Sequence, residues 1–189
     1  MSIRHISVGL LAVVVVGLFS VNFPSGIVSG SAAENAAPTA IDLGEYFFGA
    51  PANMAPVGDA AKPEKVVATI TGAATGEIVL VLKNVGQLEH EVLSPLFLAT
   101  SEAAVKSFDA KGNEISKVET VGSLREVALQ AGMSAEVTLA LDEPLQRAFE
   151  DDPNLTMTFE ISCQVGHKKR DTAKDHYQLG MRGLIVLKP

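Results

Sequence analysis

The chain has 189 residues, 47% hydrophobic and 20% charged, with a formal net charge of −7, enough for one domain with a real core. Setting aside residues 1–33 removes only Arg4 and leaves 14 basic against 22 acidic residues, a net charge of −8. That balance disfavours nucleic acid and anionic lipid surfaces as partners and suits a basic docking protein.

In chain order, Arg4 and His5 precede ISVGLLAVVVVGLFSVNF (6–23), an uncharged apolar run. It reads as an export signal or a membrane anchor. Ser31 and Ala33 supply the small-x-small pattern of a signal-peptidase site before Glu34. Residues 34–65, rich in Ala, Pro and Gly, read as a linker with one possible edge strand, AIDLGEYFF (40–48). The folded body is expected over 66–189.

That body reads as β. VVATIT (66–71) and EIVLVLKNVG (77–86) are rich in β-branched and aliphatic residues. HEVLSPLFLA (90–99) is an extended run that Pro95 bends or marks as an edge. AVKSFDAKGNEIS (104–116) is polar and reads equally as helix, hairpin or excursion. REVALQAGMSAEVTLAL (125–141) alternates on both sides of Ala131-Gly132, a hairpin signal. EPLQRAFEDDPN (143–154) places Leu145, Ala148 and Phe149 at helical spacing, for one or two turns capping the end of the body. LTMTFEISC (155–163) alternates, and RGLIVLKP (182–189) is the last strand. Seven or so short strands separated by turns predict an antiparallel sandwich.

The chemistry lies in CQVGHKKRDTAKDHYQLGM (163–181), which holds the only cysteine, two of four histidines and one of five methionines. A single cysteine in an exported protein can form no internal disulfide. By itself it reads as a buried core thiol, and its neighbours change that. Cys163 ends one strand and Met181 begins the next, so both lie at one end of a sandwich. His90 sits at another loop–strand junction, in KNVGQLEHEV (83–92). A thiolate and two imidazoles, with a weak axial thioether, is the arrangement of a blue-copper site.

Two histidines compete for the second imidazole. His167 follows Cys163 after three residues, whereas His176 precedes Met181 by four. His176 is favoured because HYQLGM keeps His and Met on one short segment. KKRDTAKD (168–175), with only Thr172 and Ala173 uncharged, then bulges outwards as a solvated loop. His167 is the alternative ligand. Lys168, Lys169 and Arg170 are either a docking patch or part of that loop. The Glu91 backbone N–H could donate to the Cys163 sulfur, and its carboxylate reads equally as a charged side chain pointing outwards. Met157 reads as core, and Asn84 and Gly86 as shaping the turn before His90.

These segments resemble the cupredoxins, in particular exported bacterial members with an N-terminal signal or anchor. Asn84-x-Gly86-x-x-x-His90-Glu91, FEISC (159–163) and HYQLGMRGLIVL (176–187) are similar to the three ligand-bearing segments of that family. Leu129-Gln130-Ala131-Gly132 stands where the family has a proline–glycine turn. The resemblance implies an all-β Greek-key sandwich over 66–189. It also implies one mononuclear copper on His90, Cys163, His176 and Met181, and single-electron transfer in the periplasm. The natural partners would be redox proteins such as a c-type cytochrome or a terminal oxidase. A periplasmic copper chaperone or assembly factor is the alternative, although the chain lacks an open Met- and His-rich segment. Too few histidines for a multicopper cluster lead to the expectation that the chain is not an enzyme.

Overall fold

The computed structural model describes residues 37–53, 65–165 and 175–189. They all fall within one compact unit, Ala32–Pro189. The apolar run 6–23 and the segment containing His167, Lys168, Lys169 and Arg170 lie outside the described residues. Among the described residues, no helix is long and apolar enough to cross a membrane.

Eleven strands are formed by the described residues. They are β1 (Thr39–Gly44), β2 (Phe47–Phe48), β3 (Val66–Ile70), β4 (Glu77–Asn84), β5 (His90–Leu93), β6 (Thr100–Phe108), β7 (Glu114–Val121), β8 (Val127–Leu129), β9 (Ser134–Leu141), β10 (Met157–Cys163) and β11 (Arg182–Leu187). One sheet has the order β2-β1-β4-β9-β6-β7, the other β3-β11-β10-β5-β8. Alternation builds the core between them. Ile78, Leu80 and Leu82 of β4 and Val137, Leu139 and Leu141 of β9 point inwards from the first sheet. Val92, Leu129, Ile161, Ile185 and Leu187 do so from the second. Each such side chain stabilises the fold by roughly 1.5–3 kcal/mol through removal from water.

The structure differs from the sequence expectation in several places. Two pairings, β1 with β4 and β3 with β11, are parallel, so the sandwich is not purely antiparallel. After β2 the chain crosses to β3 in the other sheet before returning as β4; such a crossover is what parallel neighbours require. The expected edge strand within 40–48 is β1, hydrogen-bonded between β2 and β4. Ile41, Leu43 and Phe48 lie in the core.

Residues 125–141 do not form a hairpin. β8 belongs to one sheet and β9 to the other. The turn at Ala131-Gly132 therefore carries the chain across the sandwich, and the Gly132 N–H is bound by the Asn84 carbonyl. Alternation on both sides of a glycine marks two strands but does not say that they pair with each other. The undecided stretch 104–116 is the end of the β6–β7 hairpin. Pro95 opens a 3-10 turn, Pro95–Leu98, capped by the Ser94 hydroxyl. A helix α1 (Glu143–Asp151) begins at Asp142-Glu143-Pro144 and buries Phe149. Proline suits the first helical turn because its missing N–H would have no partner there.

Candidate metal centre

Sheet register brings His90 and Cys163 together. β5 and β10 are antiparallel neighbours with Cys163 opposite Val92. His90 lies two residues from Val92, so it shares the core-facing side and stands diagonal to Cys163. The Cys163 Sγ is 3.7 Å from His90 Nδ1.

His176 comes from the turn that feeds β11. The Asp175 carboxylate accepts the Gln178 N–H at 2.7 Å, and the Asp175 carbonyl accepts the Leu179 N–H. The Gly180 N–H then bonds Tyr177 O, and the Met181 N–H bonds His176 O at 2.9 Å. This nested pair is a Schellman closure, with Gly180 (φ 101) in the positive-φ position that favours glycine. The four-residue spacing between His176 and Met181 is thus the span of one hydrogen-bonded turn. The Met181 carbonyl also accepts the Cys163 N–H at 3.1 Å, and the His176 N–H is held by Val165 O. Val165 and His176 are thereby held side by side.

The result is a triangle of donor atoms. His176 Nδ1 is 3.3 Å from Cys163 Sγ and 3.2 Å from His90 Nδ1. The three ligand atoms lie within 4.8 Å of one another, close enough to share one ion. A first-row metal bound at about 2.0–2.1 Å to nitrogen and about 2.3 Å to sulfur separates its donors by roughly 3.3–3.8 Å. His90, Cys163, His176 and Met181 are all completely buried. Of the residues expected at the site, the structure brings three side chains together and ties the Met181 backbone to two of them. His167 lies outside the described residues.

Surrounding groups fix this cluster. The Asn84 side chain, itself buried, donates to Leu88 O (2.7 Å) and Leu129 O (3.0 Å), and its Oδ1 accepts the Gly86 N–H (3.0 Å). It thereby pins the loop leading to His90. Gly86 passes so close to His90 that a Cβ there would lie 3.2 Å from His90 Nε2 and 2.8 Å from a Glu45 carboxylate oxygen. Sequence reasoning missed the turn Glu45-Tyr46. The Tyr46 ring meets His176 edge-on, with centroids 5.3 Å apart, and Tyr46 has a left-handed backbone (φ 66). Glu45 accepts the Gln87 N–H. No residue pattern in 40–48 signals a contact with histidines far along the chain.

Electrostatics favour neutral ligands before a metal arrives. Burial pushes the Cys163 thiol up, while backbone hydrogen bonds from Val165 and Glu91 pull it back towards the thiolate. The Glu91 N–H thus acts as the sequence suggested. Burial, then the neighbouring His176, lowers His90 to about 4, against a raising influence from Glu45. His90 therefore stays neutral in the fold while an unfolded chain takes up a proton below about pH 6.5. The unfolded state then binds more protons, so metal-free stability falls as pH drops from 6.5 towards 4. The loss from this group is at most about 3 kcal/mol. Urea unfolding at pH 7 and pH 4.5 measures it, and His90→Gln should flatten the difference relative to wild type.

No protein-family model matches the chain, and no curated protein does. Solved structures do. The chain is similar to the McoA multicopper oxidase of the hyperthermophile Aquifex aeolicus, with 12% identity, TM-score 0.51, and coverage of 82% of this chain and 30% of that one. It is also similar to a multicopper oxidase of Campylobacter jejuni described as a metallo-oxidase, with 11% identity, TM-score 0.51, and coverage of 86% and 32%. The chain thus spans about a third of the length of either. The expectation that the chain is not an enzyme is corrected here, because these structural neighbours are enzymes and three histidines in one domain do not decide the matter. At this identity the likeness carries the fold: two packed β-sheets of cupredoxin type.

Proposed function

We propose that this domain holds one copper ion on His90, Cys163, His176 and Met181 and passes single electrons in the periplasm. The observation that carries the reading is the buried triangle of one sulfur and two imidazole nitrogens, 3.2–3.7 Å on a side. A soft thiolate beside imidazoles suits both Cu(I) and Cu(II), so copper bound there would supply a one-electron couple. The protein supplies what keeps that couple fast. Sheet register fixes His90 and Cys163, the Gly180 closure fixes His176 and Met181, and full burial keeps water out. A copper-delivery role needs ligands open to exchange, and these four are completely buried.

An acidic surface suits a basic redox partner, such as a c-type cytochrome or a terminal oxidase. The chain covers only a third of the oxidases it resembles, so the proposal concerns the centre. It holds equally for a carrier between proteins and for a relay inside a larger catalytic assembly.

Titrating the protein with Cu(II) tests the reading. An intense visible thiolate-to-copper absorption should grow to an endpoint of one copper per chain and vanish in Cys163→Ser. Reversible voltammetry should follow. A chain that stays colourless in excess Cu(II) would refute it.

A further inference from the structure

β7 (Glu114–Val121) is an edge strand of the six-stranded sheet, and no described strand pairs with its outer side. It also overhangs the sandwich. Seven of its eight residues are exposed, including Ile115 (54%), Val118 (55%) and Val121 (91%). A long strand with open backbone groups and apolar side chains is a template for another strand.

The sequence of β7 says which strand fits. Odd-numbered residues Ile115, Lys117, Glu119 and Val121 share one face, and Ser116, Val118 and Thr120 share the other. A second copy laid antiparallel about a two-fold axis through Val118 puts Ile115 opposite the partner's Val121. It puts Lys117 opposite the partner's Glu119, Ser116 opposite the partner's Thr120, and Val118 opposite itself. Lys117 and Glu119 already pair within the strand at 2.5 Å. In the paired strands the four charges would alternate in sign around the axis. Sliding the register by two residues centres it on Lys117 or Glu119 and sets like charges directly opposite, which is destabilising. Pattern and charge therefore select one register, and a two-fold contact of this kind is self-complementary and closed.

We propose that the chain forms a two-fold dimer through β7, joining the two six-stranded sheets into one continuous sheet. The occupant of the open edge is a second copy of this chain. The contact is independent of the metal centre, which is carried by β5, β10 and the turn before β11.

Sedimentation velocity on the full chain, in density-matched detergent, tests it. Wild type should show a concentration-dependent dimer. Lys117→Glu or Glu119→Lys places like charges opposite each other twice per dimer and should weaken association about tenfold or more. The double variant Lys117→Glu/Glu119→Lys swaps the signs, restores alternation and should restore the dimer. That recovery separates lost pairing from lost folding. Amide hydrogen exchange gives a readout without substitution: the outward N–H groups of β7 should gain protection as concentration rises. A monomer at every concentration, a dimer indifferent to both single reversals, or no recovery in the double variant would overturn the proposal.

Discussion

His176→Ala should abolish the visible thiolate–copper absorption and weaken copper binding by more than about 100-fold, whereas His167→Ala should leave both unchanged. The magnitude follows from the rule that losing a hydrogen-bond partner of a ligand costs about 10–100-fold in metal affinity; losing a ligand costs more. The assignment follows from geometry. His176 Nδ1 already stands 3.3 Å from the Cys163 sulfur and 3.2 Å from His90 Nδ1. Its backbone is held on both sides, by Val165 O and by the Met181 N–H. Using His167 instead would require the protein to abandon an imidazole already converging on the thiol. Competition with a Cu(I) chelator, followed beside the absorption spectrum, measures both variants. Added imidazole should restore colour to His176→Ala by entering the vacated volume. Colour retained in His176→Ala and lost in His167→Ala would reverse the assignment.

What was legible in the sequence depended on how local the cause is. Alternation in residues 134–141 is a local consequence of one face being buried and marked β9 directly, while the β-branched and aliphatic residues of 77–84 marked β4. The His-to-Met spacing was legible for a similar reason, since it is set by a single turn ending at Gly180. Pairing is not local. Two alternating strands around Ala131-Gly132 look like a hairpin whether they pair with each other or cross between sheets. The same limit hid the parallel pairing of β1 with β4. It hid Glu45 and Tyr46 altogether: their contacts with Gln87 and His176 are made across the fold, and nothing in EYFF distinguishes a site-capping turn from a linker. The buried triangle itself was legible only as a set of residue types at three strand ends; its closure needed the register of β5 on β10.

Asn84 offers a second large effect, and one that distinguishes two explanations of the same residue. If Asn84 merely favours a turn, Asp would serve nearly as well, because both side chains accept hydrogen bonds from a backbone two residues on. The structure gives Asn84 a different task. Its amide donates twice, to the carbonyls of Leu88 and Leu129, and so ties the loop before His90 to β8. Asn84→Ala removes these two bonds and the one from the Gly86 N–H, and leaves the buried Leu129 carbonyl with a donor missing. At about 1 kcal/mol per lost bond, the cost is about 3 kcal/mol. For a domain of this size that lowers Tm by roughly 6–12 °C. Asn84→Asp should be worse than Asn84→Ala, because it turns the donor end into an anion facing two carbonyl oxygens in a site closed to water. Both variants should also loosen copper binding through the displaced His90, and thermal melts of the metal-free and copper-loaded forms read the two effects separately. Tolerance of Asp at full stability would show that Asn84 only shapes the turn.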